Sequence, residues 1–118
     1  MTTRDESNPL TGEFEPFRID VEQASDSVRV APVGELDLAT VDKLRAEVER
    51  LRGADLQRFV LDLRGVRFLD STGLRFVLEL DGATRADGQE LAIIRGPEVV
   101  HRIFDVTQVS DRLLFVEP

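Results

Sequence analysis

The chain has 118 residues, 42% of them apolar, and 23 acidic against 15 basic side chains give a formal charge of −8. That size and apolar fraction suit one domain around one hydrophobic core, and the acidic balance works against a sequence-independent grip on nucleic acid. Cysteine is absent, which removes disulfides, thiolate nucleophiles and Cys-ligated metals together. No run approaches the ~18 to 20 apolar residues that cross a bilayer, and the first residues lack a signal-peptide pattern, so a cytoplasmic protein without a membrane segment is expected.

Residues 1–16 are polar, carry Pro9, Gly12 and Pro16, and show neither helical nor strand periodicity; they read as a mobile tail ahead of a domain over 17–118. Phe17, Ile19 and Val21 then alternate with Arg18, Asp20 and Glu22, as a half-buried strand requires. After a polar break at 23–27, Val28 and Val30 open a second alternating run, so the two predict a hairpin. Pro32 cannot donate to a ladder and is expected at an edge or a bulge. Val41, Leu44, Val48 and Leu51 recur at steps of three and four opposite Asp42, Lys43, Arg45, Glu47, Glu49 and Arg50, which predicts an amphipathic helix closed by Gly53.

Phe59-Val60-Leu61 with Leu63 is a short continuous apolar run, suited to a strand covered on both faces. The spacing of Leu74, Val77, Leu78 and Leu80 predicts a second helix running toward Gly82. Residues 91–94 form another apolar run, and Pro97 stands well for the first position of a third helix whose apolar face is Val99, Val100, Ile103 and Phe104. Residues 113–116 supply the last strand. This order predicts an α/β domain: a mixed, mostly parallel sheet behind an N-terminal hairpin, right-handed crossovers, and three or more helices.

The segment from Arg58 to Leu74 holds the strongest functional signal. Asp70-Ser71-Thr72-Gly73 leads the chain into the second helix and puts two hydroxyls at a helix N-terminus, where unpaired N–H groups and the positive dipole end favour negative charge. A phosphate on Ser71 would add roughly −1.5 to −2 charges there, and Gly73 leaves room for a partner's backbone to approach. The plainer reading is helix capping, for which Asp, Ser and Thr are the favoured residues. Glu35 and Asp37 likewise complement a helix dipole as readily as they face a partner. Arg58, Arg64 and Arg67 decorate a solvated turn close enough to Ser71 to tune partner choice. His101, the only histidine, reads as structural or surface, with no second His or Cys to complete a metal site.

Val33-Gly34-Glu35-Leu36-Asp37, followed after the first helix and an apolar strand by Val66-Arg67-Phe68-Leu69-Asp70-Ser71-Thr72-Gly73-Leu74, resembles the STAS-domain anti-sigma factor antagonists. The shared features are the G-E-L-D turn, a G-V-x-F-[ML]-D-S-[ST]-G-L signature, and roughly the separation between them. The resemblance implies a STAS-type fold and a partner switch. The unphosphorylated antagonist binds an anti-sigma factor that is also a serine kinase, which frees a sigma factor. Phosphorylation of the first hydroxyl residue after the Asp, here Ser71, ends that binding, and a PP2C-type serine phosphatase reverses it. By the same resemblance Asp70, Thr72, Gly73 and Leu74 shape the kinase-facing surface, with Glu35 and Asp37 beside them, and no cofactor is involved.

The chain departs from the family in a longer N-terminal tail and in stopping at Phe115-Val116-Glu117-Pro118, where many relatives add a final helix. An enzyme is not expected: G-x-S-x-G is absent, and the Gly65 to Gly73 stretch lacks the Gly-Lys-Ser/Thr ending of a P-loop. The other alternative is a STAS interaction subunit of a transporter or sensor complex in which Ser71 is never phosphorylated.

Overall fold

In a computed structural model, residues 16–52 and 55–118 are described. Most of the expected tail, and Gly53 as the closing residue of the first helix, lie outside them. The chain runs β1 (Arg18–Gln23), β2 (Ser27–Leu36), α1 (Val41–Arg52), β3 (Arg58–Asp62), β4 (Val66–Leu69), α2 (Ser71–Ala86), β5 (Glu90–Ile94), α3 (Glu98–Val106), a 3-10 turn (Ser110–Arg112) and β6 (Leu114–Val116). One sheet takes the strand order β1-β2-β3-β5-β6, with β4 also paired to β2; the β1–β2 hairpin is antiparallel and the rest parallel.

The alternating runs and helical stripes explain most of this. Val28 and Val30 of β2, Phe59 and Leu61 of β3, and Leu91 and Ile93 of β5 meet Val41, Leu44, Val48 and Leu51 of α1 and Leu74, Val77 and Leu80 of α2 in one buried cluster. Burying each Leu, Ile or Phe stabilises by about 1.5–3 kcal/mol, so this cluster is what holds the helices on the sheet.

Four expectations are corrected. No strand is expected between the run ending at Leu63 and the second helix, but Val66–Leu69 forms a short strand, β4, beside β2. Pro32 is neither on an edge nor at the bulge of β2, which falls between Gly34 and Glu35. It lies in an interior strand opposite Ile19 of β1, between the stretch of β2 that pairs with β3, ending at Val30, and the stretch that pairs with β4, starting at Gly34. α2 continues through Gly82, which is exposed with open space around it, and ends near Gly88, whose φ of 73° is the left-handed conformation that stops a helix. On α3, Val99 is exposed instead of lying on the apolar face, and Pro97 caps the helix instead of starting it, while His101 is buried, the structural one of its two expected roles.

The change of partner along β2 positions the site. Its first half, Ser27 to Val30, pairs with β3; its second half leaves β3 behind and pairs with β4 through Gly34↔Val66, Glu35↔Phe68 and Leu36↔Leu69, with a bulge between Gly34 and Glu35. Gly34 supplies the φ of 116° at that bulge, and its N–H donates to the Gly65 carbonyl at 3.0 Å.

Candidate functional site

The two motifs 34–37 and 70–73 are brought side by side because β2 and β4 end in register. Past the Leu36↔Leu69 pair, the Asp70 N–H donates to the Leu36 carbonyl at 3.4 Å, so the chain enters α2 beside the point where β2 turns toward α1.

Asp70 caps α2. Its backbone is extended, and one carboxylate oxygen, Oδ1, accepts the Thr72 N–H at 2.9 Å and the Gly73 N–H at 3.0 Å. Two of the helix's orphan donors are thereby satisfied by a negative charge at the positive end of the dipole. Ser71 is the first helical residue and is exposed, while Thr72 is half-buried. Gly73 and Leu74 are buried. A Cβ on Gly73 would stand 2.8 Å from the Leu36 carbonyl oxygen and 3.1 Å from Leu69 Cγ. The close approach that this glycine permits is therefore made by the chain's own strand β2, and Gly73 and Leu74 serve to seat the helix.

Across the junction, Asp37 closes the turn between β2 and α1. Its Oδ1 accepts the Ala39 N–H at 3.0 Å, and its carbonyl accepts the Thr40 N–H at 3.1 Å and the Val41 N–H at 2.9 Å. The Thr40 hydroxyl donates to the Glu35 carbonyl at 2.6 Å and accepts the Asp37 N–H at 3.0 Å. Sequence reasoning passed over Thr40, although a Thr just before a helical stripe is a capping signal. Glu35 is exposed, and among the described residues its carboxylate has no hydrogen-bond or ion-pair partner. Leu38, 76% exposed, was also passed over, and Phe68, quoted only as a letter of the signature, is 49% exposed. Both fall outside the helical stripes, and an apolar residue that fits no buried face is the signal that could have found them.

The three arginines grouped in the sequence are split by the fold. Arg58 opens β3 and pairs with Glu90 at 2.9 Å, at the strand end farther from Ser71. Arg64 and Arg29 converge on the buried Asp62: Arg29 Nη1 donates to Oδ2 at 2.6 Å, Arg64 Nη2 to Oδ2 at 2.8 Å, and Arg64 Nε and backbone N–H to Oδ1, both at 3.0 Å. Burial works to raise the Asp62 pKa, but these bonds, led by those from Arg64, outweigh it and hold the carboxyl below its ordinary value. Arg67 is exposed on β4. No group of three or more His, Cys, Asp or Glu able to hold a metal occurs among the described residues, and none of their helices is long and apolar enough to cross a membrane.

Comparison with known proteins adds a family, a relative and three solved structures. The family model for the STAS domain matches residues 18–117. The anti-sigma-B factor antagonist of Bacillus subtilis (strain 168) is 30% identical over 97 residues, covering 80% of this chain and 86% of that protein. Among solved structures, an anti-sigma factor antagonist from Mycobacterium paratuberculosis superposes with a TM-score of 0.74 at 21% identity, over 89% of this chain and 90% of that one. The anti-sigma factor antagonist SpoIIAA in its unphosphorylated form superposes at 0.71 with 18% identity, over 84% and 88%. The phosphorylated form of SpoIIAA from Bacillus gives 0.65 with 19% identity, over 84% and 91%.

Proposed function

The chain belongs to the STAS-domain family, among the anti-sigma factor antagonists, and from that premise we propose that it is a non-catalytic cytoplasmic switch controlled by phosphorylation of Ser71. Unphosphorylated, it binds an anti-sigma factor that is also a serine kinase and so releases a sigma factor. Phosphate on Ser71 ends that complex, and a PP2C-type phosphatase restores it. The working unit is the domain over 17–118, with residues 1–16 as an appended tail.

The observation that carries this reading is the exposed Ser71 hydroxyl on the first residue of α2, held by the Asp70 cap. A dianion at that position stands exposed at the positive end of the helix dipole, so the fold tolerates it although Asp70 already caps the Thr72 and Gly73 N–H groups. The added charge is then felt by a visitor and not by the core, which is what differential affinity requires. Glu35, Asp37 and Thr72 belong to the partner-facing surface. Gly73 and Leu74 contribute by position, and Asp70 by both cap and charge. The existence of SpoIIAA in unphosphorylated and phosphorylated forms supports carrying the switch to this chain.

The test is incubation with anti-sigma serine kinases and ATP, read by intact mass, followed by affinity measurements on two variants. Ser71→Ala is expected to bind the kinase without accepting phosphate, and Ser71→Asp to bind at least about tenfold more weakly, about 1.4 kcal/mol, while keeping the wild-type melting temperature within a few degrees. Equal affinity of the two variants rules the switch out. Failure of every cognate kinase to modify Ser71 favours the constitutive interaction subunit.

A further inference from the structure

The neighbourhood of Ser71 carries an exposed apolar feature, made of Phe68 within the second motif and Leu38 just past the first. Phe68 stands in register with Glu35, and both are exposed, whereas the next pair, Leu36 and Leu69, is buried. Phe68 precedes Ser71 by only three residues. Leu38 lies one residue beyond Asp37 in a loop whose backbone is tied down by Asp37 and Thr40, so its exposure is held by hydrogen bonds on either side of it. Both belong to segments that the Asp70 to Leu36 hydrogen bond joins at one end of the sheet. An aromatic and an aliphatic side chain beside a polar rim is the composition of an interface centre, where a few apolar anchors carry most of the binding energy.

We propose that Leu38 and Phe68 are the anchors on which the nucleotide-carrying kinase sits when it acts on Ser71. The inference rests on the reading of Ser71 as a phosphorylation site and adds to it how the kinase is held. Phosphoryl transfer requires the terminal phosphate of ATP to come within bonding distance of the Ser71 oxygen, so the protein carrying that nucleotide must cover the surface around Ser71, which Leu38 and Phe68 adjoin in sequence and through the paired ends of β2 and β4. The occupant has a defined chemistry: an apolar side chain seated against Leu38 and Phe68, a basic group reaching the exposed Glu35 carboxylate, and the nucleotide phosphates over Ser71. Specificity among kinases then comes from the apolar contacts, and control comes from the phosphate.

The experiment uses the full chain and whichever anti-sigma serine kinase modifies it with Mg-ATP, with steady-state phosphorylation followed by intact mass. Leu38→Ser and Phe68→Ser are each expected to raise KM for the antagonist about tenfold or more with kcat nearly unchanged, because an anchor binds substrate and transition state alike. Leu114→Ser, an exposed apolar position on the edge strand β6, three strands away from β2, is expected to leave both constants at wild-type values. Wild-type KM in both Leu38→Ser and Phe68→Ser, with Ser71 still modified, overturns the anchor inference and leaves the switch standing. Absence of phosphate on the wild-type chain with every kinase overturns the switch, and the anchors with it. Should Phe68→Ser lower the melting temperature, Leu38→Ser, in an exposed loop, decides the matter.

Discussion

Gly73 and Gly82 occupy the same helix and make opposite demands. At Gly73 a methyl group would meet the Leu36 carbonyl oxygen at 2.8 Å, a backbone atom that cannot rotate away, whereas at Gly82 nothing lies within 4 Å. Gly73→Ala is therefore expected to destabilise the domain by about 1–3 kcal/mol, the usual cost of overpacking, and to push the start of α2 away from β2. Gly82→Ala removes backbone freedom from the unfolded chain and suits a helix interior, so it is expected to stabilise by about 0.4–1 kcal/mol. Urea denaturation of the two variants checks both, and equal signs would show that the seating of α2 on Leu36 is looser than described. Asp70→Ala leaves the Thr72 and Gly73 N–H groups without their shared acceptor and is expected to cost about 1 kcal/mol.

Between residues and fold stands β2, which serves two parallel neighbours in succession and then delivers the chain into α1 through a loop held by Thr40. Thr40→Val keeps the shape and removes the hydroxyl, leaving the Glu35 carbonyl and the Asp37 N–H to water. The expected loss is about 1–2 kcal/mol, together with weaker kinase binding through disorder of Leu38; unaltered urea midpoint and binding would remove Thr40 from the account. This element also shows what a sequence discloses. The α1 stripe of Val41, Leu44, Val48 and Leu51 was legible because four residues at helical spacing carry a periodic signal, and all four are buried. β4 was not, since Val66 to Leu69 is too short for a period and its pairing with β2 is fixed by a bulge at Gly34 that no pattern announces. The two motifs of the site were plain in the sequence, but their apposition depends on that pairing. Val99 left its expected apolar face, and His101 took the structural one of its two expected roles, because on a helix as short as α3 packing, here of His101 against Phe115 of β6 and Phe104 of the same helix, overrides a one-residue phase choice.

At the scale of the whole molecule, two groups on separate elements make stability depend on pH in the same direction. His101 is buried, with its ring 4.8 Å from that of Phe115 and 5.7 Å from that of Phe104, and its Nδ1 has no hydrogen-bond partner among the described residues. Burial, with the nearby Arg95 charge, lowers its pKa; Asp105, 3.6 Å from Nε2 and well exposed, opposes this without reversing it. The folded protein thus holds the proton less tightly than the unfolded chain, whose histidine titrates near 6.5. The contribution is fully present above that value and is lost as pH falls from about 6.5 toward the lower folded pKa. Asp62, lowered by Arg64 and Arg29, adds a second loss that starts only below about pH 4, the unfolded carboxyl range. The melting temperature is therefore expected to fall in two stages on acidification, the first near pH 6 and the second below pH 4. His101→Phe, which fills the aromatic cluster without a titrating group, should abolish the first stage and spare the second, while Asp62→Asn should do the reverse at a cost of about 1–3 kcal/mol at neutral pH. Because His101 is the only histidine in the chain, its ring protons give a single NMR titration curve. A midpoint at or above 6.5 would show that the imidazolium is accommodated in the folded state and that the first stage has another origin.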